Sequence, residues 1–166
     1  MSPRPRVPPP LDVEAILGAL DHHGVEYVVI GGLAARIHGS PMLTEDLDIT
    51  PAPDRENLSR LADALHELAA RLRGAEDVDF PLDDRSLALA EILTMTTSAG
   101  QLDVCHRPAG GQTYETLALN AETYELFGLQ VRVASIDDLI RSKSAAGRDK
   151  DLRGMPALRE LRRRRG

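Results

Sequence analysis

Apolar positions change their period several times along the chain, and each change marks a predicted element. Over residues 11–23, Leu11, Ile16, Leu17 and Leu20 fall on one side of a helix, and Gly24 supplies a stop. Residues 26–31 (EYVVIG) form a short apolar, β-branched run, the pattern of a buried strand. Gly31-Gly32 break that run, residues 33–38 follow as a short helix, and Gly39-Ser40-Pro41 end it. Over residues 45–50 (EDLDIT) acids alternate with apolar residues, which is strand periodicity. The clearest pattern spans residues 54–73. Leu58, Leu61, Leu65, Leu68 and Leu72 make an amphipathic stripe, with Asp54 as N-cap and Gly74 as the closing residue. Residues 75–86 read as an acidic loop. Residues 91–97 and 101–106 form one predicted hairpin, and 122–127 and 129–134 a second through Gly128. From Asp137 onward the pattern is helical, with interruptions expected at Gly147 and Pro156.

The order α-β-α-β-α-β-β-β-β-α-α predicts an α+β fold, a mixed β-sheet flanked by helices with a helical C-terminal segment. A chain of 166 residues suits one domain, placed at 11–166 behind a flexible proline-rich tail at 1–10. No apolar run approaches the roughly 18 residues that cross a bilayer, so no membrane partner is expected. The first ten residues lack the apolar centre of a secretory signal. Cys105 is the one cysteine, which excludes an intrachain disulfide and a multi-cysteine metal site. The cytoplasm is the expected compartment. Aromatic residues make up 3% of the chain, too few for a base-stacking platform.

The net charge of −6 is unevenly spread. Residues 141–166 carry +7, which leaves −13 on the other 140. Such a basic segment pairs with the acidic body, meets a polyanion, or complements a helix C-terminus.

Three features can carry chemistry. Gly31-Gly32 stand between a strand and a helix, where bare backbone and free N–H groups admit phosphates. Asp46 and Asp48 are two apart on a strand, so both leave one face while Leu47 and Ile49 enter the core. Their repulsion invites a cation, and carboxylates with phosphate oxygens are the usual ligands of Mg²⁺. Asp103 alternates with Leu102 and Val104 on a later strand; it is a candidate third metal ligand or general base, with Asp79 and Asp83 next in line. His38, at a helix end, either approaches phosphates or caps its own helix. Cys105 reads as structural, and His22-His23 as surface.

The spacing of Gly31-Gly32, Asp46-x-Asp48 and the later Asp103 resembles the nucleotidyltransferase superfamily of the DNA-polymerase-β type. Thr44-x-Asp46 and the segment Lys143-Ser-Ala-Ala-Gly-Arg148-Asp-Lys150-Asp151 are similar to the small bacterial branch, including abortive-infection-type toxins of toxin–antitoxin pairs. Met42 stands where many relatives have Arg, and Gly32 where many have Ser. The resemblance implies that Gly31, Gly32 and Thr44 hold the NTP and that Asp46, Asp48 and Asp103 hold Mg²⁺ or Mn²⁺. It also implies that Lys143, Arg148 and Lys150 neutralise the phosphates. Lys143 and Lys150 would share a helix face, with Arg148 brought round by a bend at Gly147. The implied activity is transfer of NMP from an NTP to a hydroxyl, with release of pyrophosphate. The acceptor stays open between tRNA or another RNA, a protein and a small molecule, and an antitoxin protein is an implied partner. A non-catalytic nucleotide-binding module and an RNA-binding adaptor using Arg162 to Arg165 are the alternatives.

Overall fold

The computed structural model describes residues 7–166. The part of the expected tail at residues 1–6 lies outside the described residues, while Val7, Pro8 and Pro9 run beside Arg71, Thr96 and Ser98. In chain order the elements are α1 (Val13–His22), β1 (Tyr27–Ile30), α2 (Gly31–His38), β2 (Asp46–Pro51), α3 (Arg55–Glu67), β3 (Arg71–Leu72) and α4 (Asp84–Leu89). Then come β4 (Ile92–Thr97), β5 (Gly100–Cys105), α5 (Tyr114–Asn120), β6 (Glu122–Leu126), β7 (Leu129–Val133), α6 (Ile136–Ala146) and α7 (Asp149–Arg165).

The strands form one mixed sheet in the order β3-β4-β5-β2-β1-β7-β6. Strand β2 lies at its centre, antiparallel to β1 and parallel to β5. The two expected hairpins are β4–β5 and β6–β7. Alternation along the central strands works as the sequence requires. Leu47 and Ile49 of β2 and Leu102 and Val104 of β5 are buried, leaving Asp46, Asp48 and Asp103 to the other face. Helices α1 and α3 pack on each other, and α6 packs against α2 and α7. Each fully buried leucine contributes about 1.5–3 kcal/mol, and α3 alone supplies Leu58, Leu61 and Leu65.

The structure corrects the pattern in four places. The expected helix over 54–73 stops at Glu67, although Asp54 caps it through the Asn57 N–H as expected. Ala69 takes the left-handed conformation, and Arg71 and Leu72 then pair with Thr96 and Met95 at the sheet edge. Leu72 keeps the helical spacing by position only, because the β4 edge offers its backbone partners. The acidic loop is shorter than expected, since Asp83 caps α4 through the Ser86 N–H and Leu87 is buried beneath it. A further helix, α5, starts at the Thr113–Thr116 capping box. Pro156 lies inside α7 without ending it. It is exposed, and Met155 and Leu158 beside it are buried. That packing offsets the missing N–H, whose cost is about 3 kcal/mol in a helix interior.

Candidate active site at the acidic triad

Strand pairing assembles the acids. In the β2–β5 register Asp48 stands opposite Asp103 and Asp46 opposite Gln101. One ligand oxygen from each of Asp46, Asp48 and Asp103 lies within 4.8 Å of the others. Burial, reinforced by the charges of Asp46 and Asp103, pushes the Asp48 carboxyl up to about 8, against a partial opposing pull from Lys150. Burial also raises Asp103, opposed by the Arg73 guanidinium, whose Nη2 donates to Asp103 Oδ1 at 2.7 Å. The donor set is all carboxylate oxygen, which fits a hard cation of the Mg²⁺ or Mn²⁺ class, and such a cation would offset the burial and repulsion that together raise Asp48.

The glycine turn sits directly against these acids. Gly31 opens α2 at a φ of 69°, and a Cβ there would overlap the Asp48 carboxylate. Glycine is required twice over, by conformation and by space. The N-cap, Ile30, gives no side-chain hydrogen bond, so the first-turn N–H groups of α2 are left without a side-chain cap. A Cβ on Gly32 would stand 3.0 Å from Thr44 Oγ1. Thr44 itself donates to the Asp46 carbonyl at 3.0 Å and reaches Asp46 Oδ1 at 3.3 Å, so it fixes the first acid as well as lining the cleft.

The three expected cations arrive from two helices rather than one bent helix. Gly147 ends α6 in the left-handed conformation, and α7 begins two residues later. Lys143 of α6, Arg148 of the connection and Lys150 of α7 thereby line the same clefts as Asp46 and Asp48. Gly154 of α7 leaves room for the Lys143 ammonium, 3.5 Å from where a Cβ would stand. Arg148 is anchored by Asp151, Nε to Oδ2 at 2.7 Å, and that buried carboxylate is held down by the guanidinium.

Two adjoining clefts share this charged floor. One, of about 300 Å³, includes Gly32, Ser40, Met42, Leu43 and Thr44. The other, of about 360 Å³, includes Asp103, Thr94, Cys105 and Arg107, with apolar wall from Ile92 and Pro108.

Other expectations resolve differently. His38 is buried; its Nε2–H donates to the Ala134 carbonyl at 2.7 Å, and Nδ1 lies 3.1 Å from the Tyr124 hydroxyl. It therefore neither faces phosphates nor caps its own helix. Asp83 is spent on the α4 cap. Burial raises the Cys105 thiol, which disfavours the reactive thiolate. The basic end pairs with the acidic body: Arg165 reaches Glu122 at 2.8 Å and Tyr124 at 3.0 Å, and Arg162 lies 3.7 Å from Asp137. Arg163 and Arg164 both pair with Glu160. Arg73 is the site residue that sequence reasoning missed. Its contact with Asp103 depends on β3 pairing at the sheet edge, which no local pattern announces.

The α+β architecture around this triad is the nucleotidyltransferase fold. It matches lincosamide antibiotic adenylyltransferase LnuA, solved with lincomycin bound, at a TM-score of 0.62 and 13% identity over 92% of this chain and 99% of that one. It also matches the antibiotic-resistance factor ANT(2'')-Ia. The solution structure gives a TM-score of 0.56 at 18% identity, over 88% of this chain and 80% of that one. The complex of that enzyme with adenylyl-2''-tobramycin gives 0.56 and 18%, over 88% and 84%. At these identities the likeness carries the fold. No protein-family model matches the sequence, and no curated protein matches it. Among the described residues, no helix is long and apolar enough to cross a membrane.

Proposed function

We propose that this chain is a nucleotidyltransferase dependent on Mg²⁺ or Mn²⁺, moving NMP from an NTP to a hydroxyl acceptor in the cytoplasm, where both NTP and metal are abundant. The observation that carries this reading is the meeting of three carboxylates from β2 and β5 with Lys143 of α6, Arg148 of the connection and Lys150 of α7, against a helix N-terminus without a side-chain cap. A non-catalytic nucleotide binder has no use for three mutually repelling acids, and that favours catalysis over the binding-module reading.

Asp46, Asp48 and Asp103 would hold the metal, which when bound supplies Lewis acidity to the phosphoryl oxygens. The α2 N-terminus takes phosphate oxygens through its free N–H groups, and Lys143, Arg148 and Lys150 balance the remaining phosphate charge. The acceptor oxygen attacks the α-phosphorus, the bond to the β-phosphate oxygen breaks, and pyrophosphate leaves. Asp103, oriented by Arg73, takes the hydroxyl proton.

The low aromatic content, 3%, disfavours base stacking and so favours a small hydroxylated acceptor over tRNA or another RNA, whereas the ion pairs of Arg162 to Arg165 are exposed and leave those cations available. LnuA and ANT(2'')-Ia point the same way by analogy of fold, through bound lincomycin and adenylylated tobramycin. The motif resemblance to toxins of toxin–antitoxin pairs carries a second role, growth arrest relieved by an antitoxin protein. Incubation of the chain with each α-labelled NTP, Mg²⁺ and lincomycin, tobramycin or bulk tRNA tests the acceptor. Label on a small molecule supports the reading, and label on tRNA alone overturns the acceptor assignment. Induced expression that arrests growth with the wild type but not with Asp46→Asn supports the toxin role, and equal growth with both removes it.

A further inference from the structure

A second cluster of metal-ligating groups lies at the other end of β1 from the triad. Asp48 stands opposite Ile30, the last residue of β1, whereas His22 and His23 precede its first residue, Tyr27. His22 is the last residue of α1, His23 its C-cap, and Glu67 the last residue of α3. His22 Nδ1 lies 3.1 Å from Glu67 Oε1, and His23 Nε2 lies 3.6 Å from the same oxygen. The two imidazole rings stand 4.8 Å apart, tilted by 53°. One donor atom from each of the three residues lies within 4.8 Å of the others.

We propose that His22, His23 and Glu67 form a binding site for an imidazole-preferring divalent cation of the Zn²⁺ type, separate from the triad and independent of the nucleotidyltransferase reading. Three observations carry it. The spacing admits an ion: a tetrahedral ion with ligands about 2.05 Å away holds its donors about 3.3 Å apart, and Glu67 Oε1 lies 3.1 and 3.6 Å from the two nitrogens, which lie within 4.8 Å of each other. The His23 Nε2 atom is buried and has no hydrogen-bond partner, so the site contains a nitrogen that the protein leaves unsatisfied. The electrostatics ask for a cation: α1 and α3 both end here, and Glu67 adds a carboxylate at the negative end of α3, where a cation is the stabilising group. Two nitrogens and one oxygen select Zn²⁺, Ni²⁺ or Cu²⁺ over Mg²⁺, opposite to the all-carboxylate triad. Because α1 and α3 pack on each other, an ion here would pin their C-terminal ends together.

The test uses the untagged full chain, stripped with EDTA, in an Asp46→Asn/Asp48→Asn background that removes the triad's own affinity. Titration calorimetry with Zn²⁺ alone should show one ion per chain. His23→Ala and Glu67→Gln should each weaken it at least 30-fold, His22→Ala at least 10-fold, and millimolar Mg²⁺ should not compete. Zn²⁺ should also raise the thermal midpoint of the background chain but not of the His23→Ala chain. Far-UV circular dichroism confirms that each variant is folded, and Glu67→Gln, a conservative change at a partly exposed position, keeps the test sound should a histidine variant fail to fold. No Zn²⁺ binding in the background chain, or binding that all three variants retain, would overturn the proposal.

Discussion

Replacing Asp48 with Asn should stabilise the metal-free protein while ending its activity. Asp48 lies between Asp46 and Asp103, and burial raises its carboxyl from 3.8 to about 8. For an acid raised on folding, the native state binds the extra proton. Stability is therefore lost as pH rises through the unfolded value near 4, and the loss levels off above about 8. At about 1.4 kcal/mol per pH unit, the cost at pH 7 has a ceiling near 4 kcal/mol. Solvent in the adjoining clefts screens part of it, leaving about 1–3 kcal/mol. Asp48→Asn removes this cost, so without metal its thermal midpoint should lie about 3–9 °C above wild type at pH 7. Scanning calorimetry in EDTA from pH 4 to 9 reads the effect. The gap should be small near pH 4, widen to about pH 8 and then stay constant, and saturating Mg²⁺ should narrow it by stabilising only the wild type. A variant less stable than wild type, or a gap that ignores pH, would refute the electrostatic account of the triad.

Gly31→Ala should lower the thermal midpoint and abolish transfer, because its Cβ overlaps the Asp48 carboxylate at a left-handed φ; wild-type turnover would remove the close approach from the account. Arg73→Ala should cut kcat about 10–100-fold with the KM for NTP within threefold, and Arg73→Lys should recover part of the loss; a change confined to KM would make Arg73 a phosphate ligand instead. Lys143→Ala should weaken NTP binding by about 1.5–3 kcal/mol, measured by calorimetry, the scale of a charge-assisted hydrogen bond; unchanged affinity would exclude Lys143 from the phosphate site. Deleting residues 162–166 should leave NTP affinity within twofold and cost at most about 1 kcal/mol of stability, since the lost ion pairs are exposed; loss of NTP binding would show that the tail completes the site.

Much of the site was readable because strand periodicity is strict. Asp46 and Asp48 had to share a face once residues 45–50 were a strand, and Asp103 had to share its face on the next parallel strand for the three to meet. The register that places Asp103 opposite Asp48 is a tertiary fact, and pattern alone left Asp79 and Asp83 in contention. Helix α3 shows the opposite failure. Its leucine stripe runs on to Leu72, but the left-handed Ala69 and the β4 edge convert the last turns into β3. That edge pairing is also what delivers Arg73 to Asp103, so one missed element hid one site residue. Gly147 was legible as a break, but not as the point that divides Lys143 and Lys150 between two helices. His38 misled because its partners, Ala134 and Tyr124, lie 96 and 86 residues on in sequence.

Metal-dependent release of pyrophosphate tests the central claim most directly. The purified chain, an NTP and an acceptor extract are followed by a coupled pyrophosphate assay with Mg²⁺, with Mn²⁺ and with EDTA, in parallel with Asp46→Asn, which should fold normally. Release that requires the added metal and falls at least 10³-fold in Asp46→Asn is the expected result. Release that persists in EDTA, or an Asp46→Asn variant as active as wild type, would contradict the assignment of the β2–β5 carboxylates as the centre of nucleotide transfer.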